Sequence, residues 1–400
     1  MNRRANSKSE VTFHPMEADG ANYPKAAVPL LPPLSWQGWP GRKHAAGSAF
    51  LQGAEYFIQS RYALAEAMRR AGVHAGLKVL LPAFHCRAIV EPVLYLGAEP
   101  CFYPVRADLR PDFSALSSMI GGDGAPVAAM VLTHYFGFPN DLDEAERFCA
   151  AHDIALIEDC AHALYGRAGE RLLGTVGSYA TASVWKFLPA RDGGLLLDNT
   201  GGQPAHRSAQ PLLAEAKALA AILQGWSRRI WRRSSLPVIE PFALCEQAKH
   251  VAAQPMVRAS ESGLKEFSPK LAEMAALRSS RWIMAHAPHE RVATRRRANY
   301  LQWLEGMRSV SGVKPIFPHL PEGVVPYAFP LLIDPAGMGF HRIKTAGIPL
   351  WRWEDMAVTD CAISRDYRIR LLQLPCHQEL REEELAWMIH TVQTLLTAPD

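Results

Sequence analysis

The sequence contains no apolar run of about 18 residues, the length that a transmembrane helix requires. Residues 1–10 are polar and basic with no apolar stretch behind them, and they do not resemble an export signal. Membrane spanning and export are therefore not expected. The seven cysteines are odd in number, widely spaced and without a CxxC pair, so no disulfide framework is predicted. These absences favour a protein of the reducing cytoplasm.

Signals for metal and nucleic-acid sites are also scarce. The fifteen histidines form no HExxH motif and no paired spacing typical of zinc. Lys and Arg (43) nearly balance Asp and Glu (39), which leaves a net charge of +4. The basic stretches 226–233 and 295–297 could suggest a polyanion or an anionic membrane. In a nearly neutral chain, a solvated helix face or a diphosphate site is the better interpretation, and we expect no metal, nucleic-acid or membrane partner.

With 48% hydrophobic and 20% charged residues, the 400-residue chain has the composition of a globular protein of two or three domains. Residues 1–45 are rich in Pro, Gly and Trp without periodicity and predict an extended N-terminal arm. We predict a large domain with linking helices over residues 46–240 and a smaller C-terminal α/β domain over residues 241–400. The role of residues 205–260 is left open.

Short apolar segments alternate with amphipathic ones through the large domain. Helices are predicted at 60–71, 87–96, 112–120 and 141–152, and strands at 79–84, 101–105, 128–133 and 154–157. This alternation predicts an α/β fold with a mostly parallel sheet and helices on both faces. Ligands bind at the carboxyl ends of the strands in such sheets. The polar residues at these ends are His85 and Cys86, His134 and Tyr135, Glu158 and Asp159, and Lys186.

Lys186 is the only lysine between Lys78 and Lys217 and has apolar neighbours on both sides. A desolvated lysine has a lowered pKa and can attack a carbonyl to form a Schiff base. The alternative is a lysine whose stem lies along an apolar surface with its ammonium group in water. On its own, Lys186 does not decide between the two.

Asp159 ends an apolar strand 27 residues before Lys186. Pyridoxal phosphate (PLP) chemistry requires both a lysine for the aldehyde and a carboxylate at the ring nitrogen. Asp159 and Lys186 together therefore indicate a PLP site, although an acid after a strand also commonly caps a helix.

A PLP phosphate needs amides at a helix N-terminus, and residues 59–64 have the pattern of the start of a long helix. Ser60 and Arg61 could supply a hydroxyl and a charge there. Ser183, three residues before the lysine, is a second candidate phosphate ligand. The alternative for Ser60 is an ordinary helix cap.

Five segments in order resemble the DegT/DnrJ/EryC1/StrS family of PLP-dependent sugar aminotransferases, which has the aspartate aminotransferase fold (fold type I). They are residues 76–100, 133–140, 157–163, 185–194 and 374–380. The resemblance implies that Lys186 holds PLP and moves the proton, and that Asp159 pairs with the pyridinium. It implies that His162 lies near the ring hydroxyl, where the family usually has Gln, and that Ser60, Arg61 and Ser183 bind the phosphate.

The sequence also departs from the family pattern elsewhere, as at the helix start, where Gln59-Ser60-Arg61 replaces the usual Ser-Gly-Thr. His85 and Cys86 stand where relatives place an aromatic residue against the cofactor ring; we predict that His85 stacks there, while Cys86 remains the alternative. Family members form homodimers in which the neighbouring subunit contributes an Asn to the phosphate. The corresponding stretch, 267–273, contains Ser268 and Lys270 instead. The resemblance implies a homodimer with shared sites.

The activity implied by the resemblance is transfer of an amino group from glutamate or glutamine to a keto sugar, which is expected to be nucleotide-linked, in polysaccharide or glycosylated-metabolite biosynthesis. Two alternatives remain. One is a PLP-dependent sugar dehydratase, against which Lys186 argues because such relatives carry His at that position. The other is a non-catalytic regulator that binds PLP or a sugar nucleotide.

Overall fold

A seven-stranded sheet forms the centre of the larger part of the molecule. The computed structural model describes residues 10–16, 23–41, 47–120, 125–231, 236–237, 256–334 and 338–397. In these ranges the strands are β1 (Thr12–Phe13), β2 (Glu55–Phe57), β3 (Lys78–Pro82), β4 (Glu99–Tyr103), β5 (Val127–Thr133), β6 (Ala155–Cys160), β7 (Arg167–Ala168), β8 (Arg171–Leu172), β9 (Tyr179–Ser183), β10 (Gly194–Asp198), β11 (Val257–Arg258), β12 (Val313–Pro315), β13 (Ala328–Ile333) and β14 (Leu371–Pro375). The helices are α1 (Ser60–Arg70), α2 (Arg87–Tyr95), α3 (Phe113–Met119), α4 (Leu142–Ala151), α5 (Leu212–Trp231), α6 (Ala259–Ser262), α7 (Arg278–His286), α8 (His289–Met307), α9 (Met338–Thr345), α10 (Ala362–Arg370) and α11 (Glu382–Thr397).

The strand order of the large sheet is β2, β10, β9, β6, β5, β3, β4. The five strands from β9 to β4 are parallel, and β10 runs antiparallel to both β9 and β2. Strands of the parallel group are joined by α2, α3 and α4, as the alternating sequence pattern predicted. The predicted α/β architecture is confirmed.

Both faces of the sheet are covered, because its strands are apolar on both sides. Val79 and Leu81 of β3 are buried in one core cluster together with α1 and α2. Leu80, between them, belongs to a second core on the opposite face. This alternation follows from the two-residue repeat of a strand. The small residues Ala63 and Ala67 are fully buried and let α1 lie close to the sheet.

The second core continues into a smaller three-stranded antiparallel sheet of β12, β13 and β14. Helix α8 packs on this sheet through Trp303, whose ring stacks on Phe329 at 5.5 Å between centroids. One continuous apolar core therefore joins the two sheets, and α8 carries side chains that reach both of them.

The predicted domain boundaries at 45/46 and 240/241 lie outside the described residues and stay predictions. Residues 23–41 contain no helix or strand, and Val28 and Leu34 among them are buried. Strand β11 pairs with β1, and Phe267 packs on Tyr62 at 4.7 Å between ring centroids. Part of the sequence assigned to the C-terminal domain thus packs against the large sheet and its helices. In the described ranges, no helix is both long and apolar enough to cross a membrane.

Glu158 of β6 is a fully buried carboxylate with a complete set of hydrogen-bond donors. His134 Nε2 donates to it at 3.0 Å, and the N–H groups of Gly174, Val176 and Gly177 donate at 2.9, 2.8 and 2.8 Å. Burial alone would raise the pKa of Glu158, but the hydrogen bonds from His134, Gly177 and Gly174 lower it below its ordinary value. Glu158 therefore ties the end of β5 and the turn before β9 to β6.

We expect Glu158→Gln to lower the free energy of unfolding by about 3 kcal/mol at pH 7, because the amide turns an N–H toward buried donors. A lowered pKa means that the carboxylate's contribution is complete above about 4.5 and is lost as the pH falls below that value. Denaturant unfolding at pH 7 and pH 3.5 would measure both effects. The control Glu146→Gln changes a carboxylate that is 54% exposed, and it should cost less than about 0.5 kcal/mol. Equal losses for the two variants would contradict the prediction.

Candidate functional site

Three polar side chains end neighbouring parallel strands at the same level. Thr133 of β5 is in register with Asp159 of β6, and Asp159 is in register with Thr181 of β9. Residues in register on adjacent strands point to the same side of the sheet. The three side chains therefore form a row at the carboxyl edge of the sheet, where α/β proteins bind ligands.

A cavity that is partly open to solvent lies above this row. Of the residues predicted from the sequence, Ser60, Arg61, His85, Asp159, His162 and Lys186 line it, and Ser183 does not. Its other walls are Gln59, Leu64, Phe84, Cys86, Ala88, Ile89, Thr133, Tyr135, Ala161, Thr181, Trp185 and Trp353. Six residues chosen from four separate sequence segments thus converge on one space.

Asp159 is 6% exposed and makes two hydrogen bonds in the protein. The N–H of Ala161 donates to Oδ1 at 3.0 Å, and Thr133 Oγ1 lies 3.4 Å from Oδ2. Burial raises the pKa of Asp159 above its ordinary value, although Ala161, Lys186, His134 and Thr133 act in the opposite direction. The hydrogen bonds and charges around the carboxylate do not fully offset the cost of its burial. A cationic group placed next to it would therefore be stabilised.

Lys186 lies in the turn after β9. Its side chain lines the cavity, deep within the protein, and is partly exposed there. Its Nζ is 5.5 Å from the ring centroid of Tyr327 and 6.0 Å from that of Trp185. Burial lowers the pKa of Lys186, and Arg61 adds to this, whereas Cys86 and Asp159 partly offset it. A larger fraction of the amine is therefore neutral and nucleophilic near neutral pH.

His162 is buried between aromatic rings, stacked on Tyr327 at 4.3 Å and on Phe136 at 5.6 Å between centroids. Burial lowers its pKa well below the ordinary value, and the nearby Lys186 adds to this. Its Nδ1 atom has no hydrogen-bond partner among the described residues. A neutral imidazole with an unused nitrogen is suited to a ligand hydroxyl.

His85 and Cys86 occupy different places in the cavity wall. The His85 ring stacks on Phe102 at 4.8 Å, and its Nε2 accepts a hydrogen bond from the N–H of Ala357. Its Nδ1 lies 3.0 Å from the carbonyl oxygen of Pro82. Cys86 instead lies near the charged groups. Burial raises the pKa of its thiol and Asp159 adds to this, whereas Lys186 and Arg61 act in the opposite direction. Stacking by His85 stays a prediction, and this arrangement favours Cys86 for the same place.

The N-terminus of α1 carries no side-chain cap, so its first N–H groups are open toward the cavity. Ser60 is its first residue, and Arg61 forms an ion pair with Glu266 and a hydrogen bond to the carbonyl of that residue. Gly194 permits this arrangement, because a Cβ there would lie 2.2 Å from the backbone of Gln59. An uncapped N-terminus next to an arginine is suited to an anion such as phosphate.

Thr181 is a site residue that the sequence interpretation missed. It lines the cavity, whereas Ser183, two residues further along β9, is fully enclosed. The hydroxyl oxygens of both lack a partner among the described residues. Thr181 lies on β9, the strand that leads into the Lys186 turn, and its pairing with Asp159 places it at the level of the cavity.

Trp353 is a second residue of the cavity wall that the sequence interpretation did not assign to the site. Its ring lies 4.9 Å from Phe84 and 5.5 Å from His162, and it closes the cavity from the loop before α10. The predicted partner-subunit stretch lies elsewhere: Ser268 donates its N–H to the Tyr62 hydroxyl at 3.2 Å, and Lys270 is exposed. Neither residue lines this cavity in its own chain.

Two other features have structural explanations. His134, Glu158 and Cys160 lie close enough together to hold a metal ion, but all three are fully buried, and the Glu158 oxygens already accept four hydrogen bonds. In the basic stretch after residue 226, Arg229 pairs with Glu384, and residues 232 and 233 lie outside the described residues.

Comparison with known proteins finds similarity over the part of the chain that contains most of this cavity. The model of the DegT/DnrJ/EryC1/StrS aminotransferase family matches residues 60–205, the stretch that contains the row and Lys186. The resemblance stated from the sequence motifs is confirmed. The L-glutamine:2-deoxy-scyllo-inosose aminotransferase of Micromonospora echinospora is 33% identical over 156 residues, which cover 38% of this chain and 36% of that protein. GDP-perosamine synthase of Vibrio cholerae is 28% identical over 141 residues, 34% and 38% of the two chains. The matched part thus spans little more than a third of these relatives.

The similarity in three dimensions is more extensive. Spr1654 from Streptococcus pneumoniae, in its PLP form, superimposes with a TM-score of 0.62 over 92% of this chain and 98% of that chain, at 15% identity. At this identity the comparison supports the fold, and the expected aminotransferase-like architecture with a second, smaller domain is confirmed.

We expect Lys186 to react with an aldehyde and reductant at a lower pH than a lysine in a reference peptide, because burial lowers its pKa. Asp159→Asn should move the half-maximal pH down by about a further unit, since the carboxylate stabilises the ammonium form. Mass spectrometry of the Lys186 peptide measures this. Asp143→Asn, which removes a carboxylate that is 78% exposed, is the matched control and should cause no change. An upward shift in Asp159→Asn would refute the electrostatic account.

Proposed function

We propose that this chain is a PLP-dependent aminotransferase that moves an amino group from an amino acid to a keto sugar. The observation that carries the proposal is the convergence of Lys186 and Asp159 on one cavity in a fold shared with aminotransferases. The similarity covers little more than a third of the length of the matched relatives. We therefore infer the activity and substrates of this chain from its own site.

The residues present fit PLP. The cavity has an under-compensated carboxylate at Asp159 for the ring nitrogen and an uncapped helix N-terminus with Ser60 and Arg61 for the phosphate. His162 Nδ1 and Thr181 Oγ1, which have no partner in the described part of the chain, are suited to the ring hydroxyl and a phosphate oxygen. Ser183 stays a predicted phosphate ligand, with Thr181 the better placed hydroxyl. When bound, PLP supplies an electron-withdrawing ring that stabilises negative charge at the reacting carbon.

Asp159 would keep a proton at the ring nitrogen. Its pKa is raised mainly because burial disfavours an isolated negative charge, and a neighbouring cation removes that penalty. A protonated heterocycle withdraws electrons more strongly, so this single carboxylate both orients the ring and increases its reactivity. Ala161 and Thr133 hold the carboxylate in position through their hydrogen bonds.

Lys186 would hold the cofactor covalently and, when released, carry the proton between the donor carbon and the cofactor carbon. General acid–base work is most efficient when the pKa lies near the operating pH, and burial moves the pKa of Lys186 in that direction. The presence of a lysine here also disfavours the dehydratase alternative.

Glutamine or glutamate is the proposed donor, and the name of one relative specifies L-glutamine. The proposed acceptor is a keto sugar, with a nucleotide-linked one preferred. The names of the relatives include both a GDP-linked product and a carbocyclic ketone, so the pathway would be synthesis of a polysaccharide or of a glycosylated metabolite. The six cysteines in the described ranges are all free, which suits the cytoplasm proposed as its location.

We also propose that the enzyme works as a homodimer. Helix α5 leaves Leu212 76% and Leu213 65% exposed, and apolar surface of this kind commonly marks a protein interface. A second copy would supply the phosphate contact that relatives take from their neighbouring subunit.

Lys186→Ala should lower amino transfer by about 10²–10⁴-fold, because it removes the proton carrier. Release of the 2-oxo acid from glutamate or glutamine, with a panel of keto sugars as acceptors, measures the reaction. Lys314→Ala, at an exposed position of β12 outside the cavity, is the control and should retain full activity. A protein that binds PLP but never transfers an amino group from any donor would support the regulator alternative. The observation that favours this alternative is Cys86 in place of an aromatic residue.

Sedimentation equilibrium should give twice the 44.2 kDa mass of one chain across micromolar concentrations, since a shared site requires a stable dimer. Dilution into the range where the mass falls should reduce activity in parallel. A monomer with undiminished activity would exclude shared sites.

A further inference from the structure

A fully buried arginine from α8 holds the main chain of the turn that carries Lys186. Arg296 Nη2 donates to the carbonyl oxygen of Lys186 at 3.1 Å. Its Nη1 donates to the carbonyl oxygens of Tyr327 at 2.9 Å and Pro326 at 3.2 Å. Its Nε donates to Gln378 Oε1 at 2.9 Å. One planar guanidinium therefore connects the turn after β9 with the strand and loop of the smaller sheet.

Gln378 completes this contact. Its Nε2 donates to the carbonyl oxygen of Phe187 at 2.8 Å, while its Oε1 accepts from Arg296. The guanidinium also lies over the Phe187 ring, 4.5 Å from the centroid. Two consecutive carbonyls, those of Lys186 and Phe187, are thus held by two side chains that bond to each other. We call Arg296 and Gln378 the carbonyl clamp.

The turn needs partners of this kind. Lys186 and Phe187 lie outside the strand ladder, so their carbonyls have no partner in regular structure. Buried carbonyls without a hydrogen bond are costly, and the clamp supplies donors from another part of the fold. The position of the Lys186 backbone therefore depends on a contact with the smaller domain.

The charge of Arg296 is not required for packing. Arg296 is 0% exposed, and all four of its hydrogen bonds go to uncharged oxygens in the described part of the chain. Burial lowers its pKa, which reflects the penalty of a desolvated cation. Apolar residues of similar volume often stabilise a core as well as a buried charge does. A rigid five-donor fork, however, can hold three chain segments in fixed relative positions.

The held segments meet at the amine. Tyr327, whose carbonyl binds Arg296, places its ring 5.5 Å from Lys186 Nζ and stacks on His162 at 4.3 Å. The same guanidinium therefore holds the main chain of Lys186 and that of Tyr327, whose ring lies beside the amine. A shift of about 1 Å in either would misplace the amine relative to a bound ligand.

We propose that Arg296 and Gln378 are positioning residues for Lys186, which they hold in the cavity by clamping its carbonyl and that of Phe187 to the smaller domain. The role in catalysis rests on the proposed function, in which Lys186 carries PLP. The clamp acts through the backbone and not through the substrate, so neither residue is catalytic.

The charged and titratable groups that face the amine are Cys86, Asp159, Arg61 and His162, with the Tyr327 ring beside them. Arg296 lies on the carbonyl side of Lys186, and its removal would loosen the turn. Water would then reach the amine, and its pKa would rise toward the ordinary value, because burial is the main cause of the lowering.

The test uses the full chain with Arg296→Met, Arg296→Lys and Gln378→Leu, and with Tyr300→Phe as a matched control. Tyr300 is equally buried on the same helix, and its hydroxyl donates to the carbonyl oxygen of Phe317 at 2.8 Å, which is not part of the clamp. Two measurements are made on each variant: the pH of half-maximal reductive methylation of Lys186 without PLP, and the rate of covalent PLP capture at Lys186 after borohydride reduction. Melting temperatures identify variants of equal stability.

We expect Arg296→Met to raise the methylation pH by about one unit and Gln378→Leu to raise it less, with Arg296→Lys in between because one amine replaces part of the fork. PLP capture should slow about tenfold in Arg296→Met but not in Tyr300→Phe at equal melting temperature. If Arg296→Met leaves both quantities at the level of the control, the clamp is overturned. If the wild type captures no PLP while the methylation shift is present, the clamp stands and the proposed function fails.

Discussion

The register between parallel strands β5, β6 and β9 is the constraint on which the site depends. Parallel strands end at a common edge, and the pairing of Thr133 with Asp159 and of Asp159 with Thr181 places three polar side chains side by side there. A slip of one residue would turn Asp159 to the other face of the sheet. The buried bonds of Glu158, which point to the opposite side, stabilise this register from below.

Burial then gives the row its chemistry. The pKa values of Asp159 and Lys186 are shifted in opposite directions, because removal of water raises the pKa of the carboxyl and lowers that of the amine. Neither group is fully compensated by the protein, and His162 and Thr181 also keep unused polar atoms nearby. Such uncompensated groups are disfavoured in a core built only for stability, and their concentration in one cavity is typical of a binding site.

The smaller domain participates in this site as well as covering it. Trp353 closes the cavity, and Tyr327 forms a wall beside the amine. Arg296 and Gln378 bond to the turn that carries Lys186. The continuous core between the two sheets keeps these contacts together, so that the geometry of the amine depends on residues more than 100 positions away in the chain.

The order of helices and strands from residue 60 to 198 and the pair Lys186 and Asp159 could be predicted from sequence, since periodicity and strand-end polarity are local patterns that survive in one dimension. The helix-start pattern indicated Ser60 and Arg61, and the family resemblance implied His162; all three line the cavity. Local patterns did not distinguish Thr181 from Ser183, or Cys86 from His85. The residues of each pair are small or polar and lie one or two positions apart, and their places in the cavity wall depend on the neighbouring strands. Trp353 had no local signal, and the segments 295–297 and 374–380, which contain Arg296 and Gln378, gave no indication of a contact with Lys186. Their roles arise from packing between segments distant in sequence, which only the tertiary structure determines.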